Sequence, residues 1–244
     1  MSAPAVLPSP AAAQPPQRRN RRIPPLENGD HLTATEFLRR YEAMPEVKKA
    51  ELINGIVHMA SPLRADQHGD PDFLMQSRLG AYAMRTPGVT GSSNATVRLG
   101  PDDVPQPDIS LRLLPECGGR SRVGPDGLLY GAPELVIEIA ASSVSIDTRE
   151  KFHAYRRSGV QEYIVWRVED EAVDWWHLVD DDYLPLPASD DGILRSRLFP
   201  GLWLNPDALL NEDGARLLET LHAGMESEEY KTFAASLKER MAVA

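Results

Sequence analysis

Cysteine is almost absent from this 244-residue chain: Cys117 stands alone, so no internal disulfide can form. That suits a reducing compartment, and beside Gly118 and Gly119 the thiol reads as an ordinary loop residue. Positive charge is also short. Lys and Arg total 26 against 36 Asp and Glu, a formal charge of -10, which excludes a uniformly basic coat for a polyanion. A local basic groove is still allowed, because only the field near a site steers its ligand. No apolar run approaches the roughly 20 residues of a membrane span, so a cytoplasmic chain with no membrane partner is expected. Cys/His spacing of the zinc-binding kind is missing, as is a Gly-rich phosphate loop ending in Gly-Lys-Ser/Thr. There is no internal repeat. Reader modules such as a helix-turn-helix or a zinc finger are not recognisable either.

What is present fits one substantial domain with appendages, since 42% of the residues are apolar. Residues 1–28 read as a disordered Pro/Ala-rich leader whose cluster "RRNRR" at 18–22 follows the apolar stretch. A secretory signal has the opposite order. The leader's arginines either add phosphate contact or form a solvated tail. Residues 29–210 form the expected main domain and 211–244 a C-terminal helical extension.

Within the domain, "TATEFLRRYEAM" predicts a helix capped by Thr33 or Thr35. "AELINGIVHMAS" predicts a hairpin about Asn54-Gly55. "DPDFLMQSRLGAYAMR" carries Phe73, Leu74, Leu79 and Met84 as a helical stripe. Strands follow at "GVTGSSNATVRLG", "QPDISLRLL" and "PELVIEIA". The helix "DTREKFHAYRRSG" ends at Gly159, and "VQEYIVWRV" and "EAVDWWHLV" pair across Glu169–Glu171. Leu217, Leu218, Leu221 and Met225, then Phe233, Leu237 and Met241, mark apolar stripes near the C-terminus. Strands and helices mix without strict βαβ alternation, so an α/β class with a mixed sheet is expected.

One residue is out of place. Glu138 interrupts the apolar run Leu135, Val136, Ile137 and Ile139, where an ionised carboxylate costs several kcal/mol unless paired, coordinated or neutralised. Strand parity puts Glu134 on the same side, most simply solvated at the strand mouth. Asp108, after Pro107, is either a turn residue or a second ligand. Glu51 opens a strand behind Lys48 and Lys49, as an exposed end charge or a third acid. Three acids at strand ends could hold Mg²⁺ or Mn²⁺, which take oxygen ligands. On the next helix Asp147, Lys151 and Tyr155 fall at i, i+4 and i+8, with Phe152 toward the core and Arg149, Arg156 and Arg157 nearby as a basic face expected to meet a phosphate backbone. Asp147 and Lys151 are an ordinary surface pair, or Lys151 sets an ammonium over the metal site.

"AELINGIVHMASP", "QPDISL", "GAPELVIEIAASS", "DTREKFHAYRRSGVQEYIVW" and "FPGLWL" together resemble, in order and spacing, the Uma-two family of restriction-endonuclease-like proteins in the PD-(D/E)XK nuclease superfamily. The resemblance spans about residues 30–210, and the tail "LHAGMESEEYKTFAASLKER" is similar to one found in the family. It implies a four-stranded mixed core sheet flanked by helices and a Mg²⁺- or Mn²⁺-dependent site for cutting DNA. Asp108 and Glu138 match the metal-binding acids, with the main-chain carbonyl of Ile139 as a further ligand, and Glu51 matches the acid of "ELIDG". The superfamily's lysine should stand at position 140, which here is Ala. Lys151 is the candidate for a lysine moved to the following helix.

"ASSV" replaces the usual "SPST", and Asn54 replaces the acid of the turn. His68 resembles a histidine at the start of the second helix, or is simply a polar helix-start residue. Ser142 and Ser143 read as N-caps. A homodimer through the C-terminal helices would suit double-strand cutting. The alternative to an endonuclease is a nuclease fold that binds or assembles on nucleic acid without cutting it, favoured by the negative charge and by Ala140.

Overall fold

A computed structural model describes residues 23–59, 64–141 and 143–243. The basic cluster at 18–22 and Ser142 lie outside the described residues. Leu26 is buried and Asn28 accepts the Met59 N–H, so the fold takes in chain ahead of residue 29.

Helix α1 (Ala34–Tyr41) starts at Thr33, whose hydroxyl oxygen accepts the Glu36 N–H. Of the two candidate caps, it is Thr33 that precedes the helix with extended backbone. The hairpin β1 (Ala50–Ile53) and β2 (Ile56–Met59) turns at Asn54 and Gly55, both at positive φ, 53° and 77°. That is the conformation the Asn-Gly pair favours. Phe37, Leu52, Val57 and Val104 give this N-terminal layer its own core.

Helix α2 (Asp70–Arg85) follows a wide turn at Ala65–Gly69. It keeps half of the expected stripe: Leu79 is buried and Leu74 packs against the core, but Phe73 is 74% and Met84 85% exposed, and Met75 and Tyr82 are buried instead. Both stripes have helical spacing. The buried tyrosine meets its polar need, because the Tyr82 hydroxyl donates to the Pro200 carbonyl at 2.8 Å, which lets the phenol be buried without an unmet donor.

The chain continues through β3 (Val89–Ser93), the short β4 (Val97–Arg98), β5 (Ile109–Leu113), β6 (Arg122–Val123) and β7 (Leu129–Tyr130). Then come β8 (Leu135–Ala140), α3 (Phe152–Ser158), β9 (Glu162–Arg167), β10 (Ala172–Val179) and β11 (Asp182–Pro185). Six strands form one mixed sheet in the order β11-β10-β9-β8-β5-β3. Strands β8 and β9 are parallel because α3 crosses between them; the other neighbours are antiparallel. The sheet is wider than the four strands the resemblance implies, with the β10–β11 hairpin at one edge. Gly159 closes α3 in the left-handed conformation its position predicts.

Last come β12 (Leu194–Arg195), β13 (Trp203–Leu204), α4 (Pro206–Leu210), α5 (Gly214–Met225) and α6 (Glu228–Val243). Helices α2, α5 and α6 cover one face of the sheet, packing Tyr82, Leu217, Leu221 and Leu237 into the cluster that holds Ile109, Ile137 and Trp166. The opposite face meets α3 through Val136, Ala140, Tyr155 and Tyr163. Most of the C-terminal apolar stripe residues are therefore used inside the fold. Leu217, Leu221, Met225 and Leu237 are buried within the chain, whereas Leu218 and Met241 of the same stripes are exposed. Among the described residues, no helix is long and apolar enough to cross a membrane.

Candidate active site

Pairing of Ile109 with Ile137 places Asp108 across from Glu138, one step along the antiparallel ladder. The two isoleucines enter the core beneath α2, so by alternation the two acids share the other face. Asp108 Oδ2 accepts the Ile139 N–H at 2.8 Å, which locks the acid onto the neighbouring strand. Glu138 is 1% exposed. Its Oε1 accepts the Tyr155 hydroxyl at 2.8 Å and lies 3.0 Å from Lys151 Nζ.

Lys151 sits in a wide π-type turn, Ile146–Lys151, that leads into α3. Its ammonium also lies 3.0 Å from Glu51 Oε2 and 3.3 Å from Asp147 Oδ1. Glu51 is held from behind, because Oε1 accepts the Gln106 N–H at 2.7 Å. Asp147 accepts the Ser143 hydroxyl, and its main-chain carbonyl accepts the Tyr163 hydroxyl at 2.8 Å. Lys49 Nζ reaches Asp108 Oδ1 at 2.8 Å, and His68 Nε2 lies 3.3 Å from Oδ2. These groups floor a cleft of about 590 Å³ whose walls include His58, Arg64, Gln67 and Glu169.

Proton affinities follow from this crowding. Burial disfavours the Asp108 carboxylate, but the His68 contact and the Lys49 and Lys151 ammoniums outweigh it and hold the group below the usual carboxylate range. Glu138 moves the other way: burial, reinforced by Asp108, Asp147 and Glu51, pushes it well above its ordinary value despite Lys151. Burial also raises Asp147. Burial works against the Lys151 ammonium, yet its three carboxylate neighbours keep it firmly protonated. The His68 contact with Asp108 raises the imidazole.

The chain's family is set by its length of match. A model described as Uma2, "Putative restriction endonuclease", matches residues 34–207. The chain belongs to the Uma2 family. A crystal structure described as a putative nuclease belonging to DUF820, from Anabaena variabilis, superposes with a TM-score of 0.51 at 14% identity. The match covers 75% of this chain and 98% of that one, and at such identity it establishes a shared fold. No curated protein matches the chain.

Within the Uma2 fold, Glu51, Asp108, Glu138 and Lys151 come together at the cleft floor. Ile139 adds a main-chain N–H to Asp108. Three expectations need correction. Glu134 is not solvated: it is buried and accepts the Leu113 and Arg120 N–H groups at 2.8 and 2.9 Å, tying the strand entrance to the loop. The helix after β8 presents no continuous basic face, because Lys151 turns inward, Arg156 pairs with Asp182 and Arg157 contacts Asp103 and Asn54. His68 is more than a polar helix-start residue, since it touches Asp108.

Lys49 was missed, although strand parity with Glu51, two residues on, places both on one face. Tyr155 was legible as the third member of the 147/151/155 stripe. Ala140 is buried against the aromatic layer, and the Lys151 ammonium reaches Glu138 from the helix side instead.

The donors available suit a hard divalent cation. Four buried carboxyl groups crowd around two lysine ammoniums and His68, so acids outnumber bases at the cleft floor. Among the described residues, no three side chains of the metal-ligating kinds form a ready cage. Mg²⁺ needs none, as it is commonly held by one or two carboxylates with waters and substrate phosphates.

Proposed function

We propose that this Uma2 chain is a Mg²⁺- or Mn²⁺-dependent endonuclease that hydrolyses phosphodiester bonds in DNA. The observation that carries the reading is the pairing of Asp108 and Glu138 across β5 and β8, with Lys151 3.0 Å from Glu138, at the floor of an open cleft. Asp108, Glu138 and the Ile139 carbonyl would hold the cation. When bound, it supplies an activated water and offsets charge on the scissile phosphate.

The chain's own residues do the rest. Lys49 and the Ile139 N–H fix both oxygens of Asp108 toward the cleft. Lys151 positions Glu138 and Glu51 and keeps a positive charge beside the acids that face the phosphate. Glu51, anchored by the Gln106 N–H, is placed to orient the attacking water or add a ligand. Hydrolysis forms one bond from water oxygen to phosphorus and breaks one phosphorus–ester oxygen bond; the water's proton leaves to solvent through the open cleft, and the departing oxygen takes a proton from solvent there to become a hydroxyl.

The test is cleavage of single- and double-stranded DNA with Mg²⁺ and Mn²⁺, wild type beside Asp108→Ala and Glu138→Ala. Each variant is expected to lose at least about a hundredfold in rate. Cleavage by the wild type should fall as salt rises, as phosphate contacts are screened. A second reading, nucleic-acid binding without cutting, is favoured by Ala140, which stands where the superfamily pattern has its lysine. It predicts DNA binding that Mg²⁺ and Mn²⁺ do not alter and no cleavage by any form of the protein.

A further inference from the structure

Helix α2 leaves an unusual face in water. Phe73, Ser77, Gly80 and Met84 lie along it, spaced four, three and four residues apart, with the two large apolar side chains exposed. An added Cβ at Gly80 would meet nothing within 4 Å, so the centre of the face is open. The spacing reads the same in both directions: large, small, small, large. Charge follows the same logic, since exposed Asp70 lies at the start of the helix and exposed Arg85 at its end. Neither has an ion-pair partner among the described residues. Beside the face runs a groove of about 430 Å³ between Gly80, Ala83 and Met84 on the helix and Thr90 to Ser93 on β3. Strand β3 is a sheet edge without charge or proline, whereas the opposite edge, β11, carries Asp182 and Pro185.

We propose that this face is a self-complementary interface on which a second copy of the chain packs its own α2, antiparallel, across a two-fold axis. Only the antiparallel arrangement uses the pattern fully. It sets Phe73 of each copy beside Met84 of the other at the mouth of the groove, brings Ser77 over Gly80 where the helices can approach closely, and points Asp70 toward Arg85 at both ends. A two-fold interface is isologous, so one helix face with this symmetry suffices for both partners. Because His68 immediately precedes α2, the two clefts lie at opposite ends of the paired helices, roughly 24 Å of helix apart.

Sedimentation velocity on the full chain tests this. The wild type is expected to be dimeric at micromolar concentration. Phe73→Glu with Met84→Glu should raise the dimer dissociation constant at least tenfold, while the far-ultraviolet circular dichroism spectrum stays unchanged because both side chains lie on the surface of the single chain. Asp70→Arg should weaken the dimer, and adding Arg85→Asp should restore it. Ser77→Cys should cross-link between copies on oxidation, as native Cys117 is buried. A monomeric wild type, or a dimer that survives the double-Glu substitution without Ser77→Cys cross-linking, overturns the proposal.

Discussion

At the floor of the cleft a single ammonium, that of Lys151, is shared by Glu51, Glu138 and Asp147. Removing one partner of a buried charged network costs more than the network contributes, because the remaining charges are stranded. Lys151→Met is therefore expected to destabilise the fold by about 3–5 kcal/mol, read by denaturant unfolding. Glu138→Gln should do the reverse. It keeps the shape and the Tyr155 hydrogen bond while relieving crowded negative charge, so its melting temperature should lie at or above that of the wild type even as cleavage is lost. A different buried charge, Arg78, donates to the Trp203 carbonyl, yet its Nε and Nη1 have no partner among the described residues. Burial lowers its pKa to about 10. Arg78→Met keeps the stem packed and removes the stranded charge, so a gain of about 1 kcal/mol is expected in the same unfolding measurement.

Elements were legible where a local rule had no competitor. Asn54-Gly55 fixed the hairpin, Gly159 the end of α3, and the alternation in Leu135–Ala140 the face on which Glu138 sits. Helix α2 was misread because two stripes of equal period overlap in it, and only tertiary contacts to Pro200 and Tyr230 choose between them. Parity with Glu51 marks the face of Lys49 and the resemblance marks His68, but each meets Asp108 from a distant segment, and no spacing in the chain announces that contact. Two element-level outcomes follow. In α1, hydrogen bonds from Arg39 and then Arg40 lower Glu36 from 4.5 to about 2. A depressed carboxylate adds stability above its unfolded value and loses it as pH falls through the folded one, so α1 should weaken between about pH 4.5 and 2. A carboxyl NMR titration should show a Glu36 midpoint near 2 that returns toward 4.5 in Arg39→Ala/Arg40→Ala. In α5, a Cβ at Gly224 would approach the Gly201 carbonyl oxygen to 2.3 Å and the Trp203 ring to 2.8 Å. Gly→Ala inside a helix normally stabilises by about 0.5–1 kcal/mol, but here overpacking should reverse the sign and cost about 1–3 kcal/mol.

Taken whole, the molecule is a two-sided sandwich: one face of the sheet builds the larger hydrophobic core, and the other packs α3 through a smaller apolar cluster and carries charge at the ends of β5 and β8. Helix α6 closes the apolar side, with the Cys117 sulfur beneath the Leu237 carbonyl at 3.8 Å. Leu237→Ala should cost about 2–5 kcal/mol and make Cys117 react faster with a thiol reagent. That separation lets the site be altered without unmaking the core, which is what a decisive assay needs. The central claim is that Asp108 and Glu138 form one metal-dependent hydrolytic site. The most direct measurement is DNA cleavage by purified wild type and Glu138→Gln, each at equal folded concentration, with Mg²⁺, with Mn²⁺ and with chelator. The account predicts cutting by the wild type only when a divalent ion is present, and none by Glu138→Gln. Equal cutting by the two proteins, or none by the wild type with either ion, would contradict it.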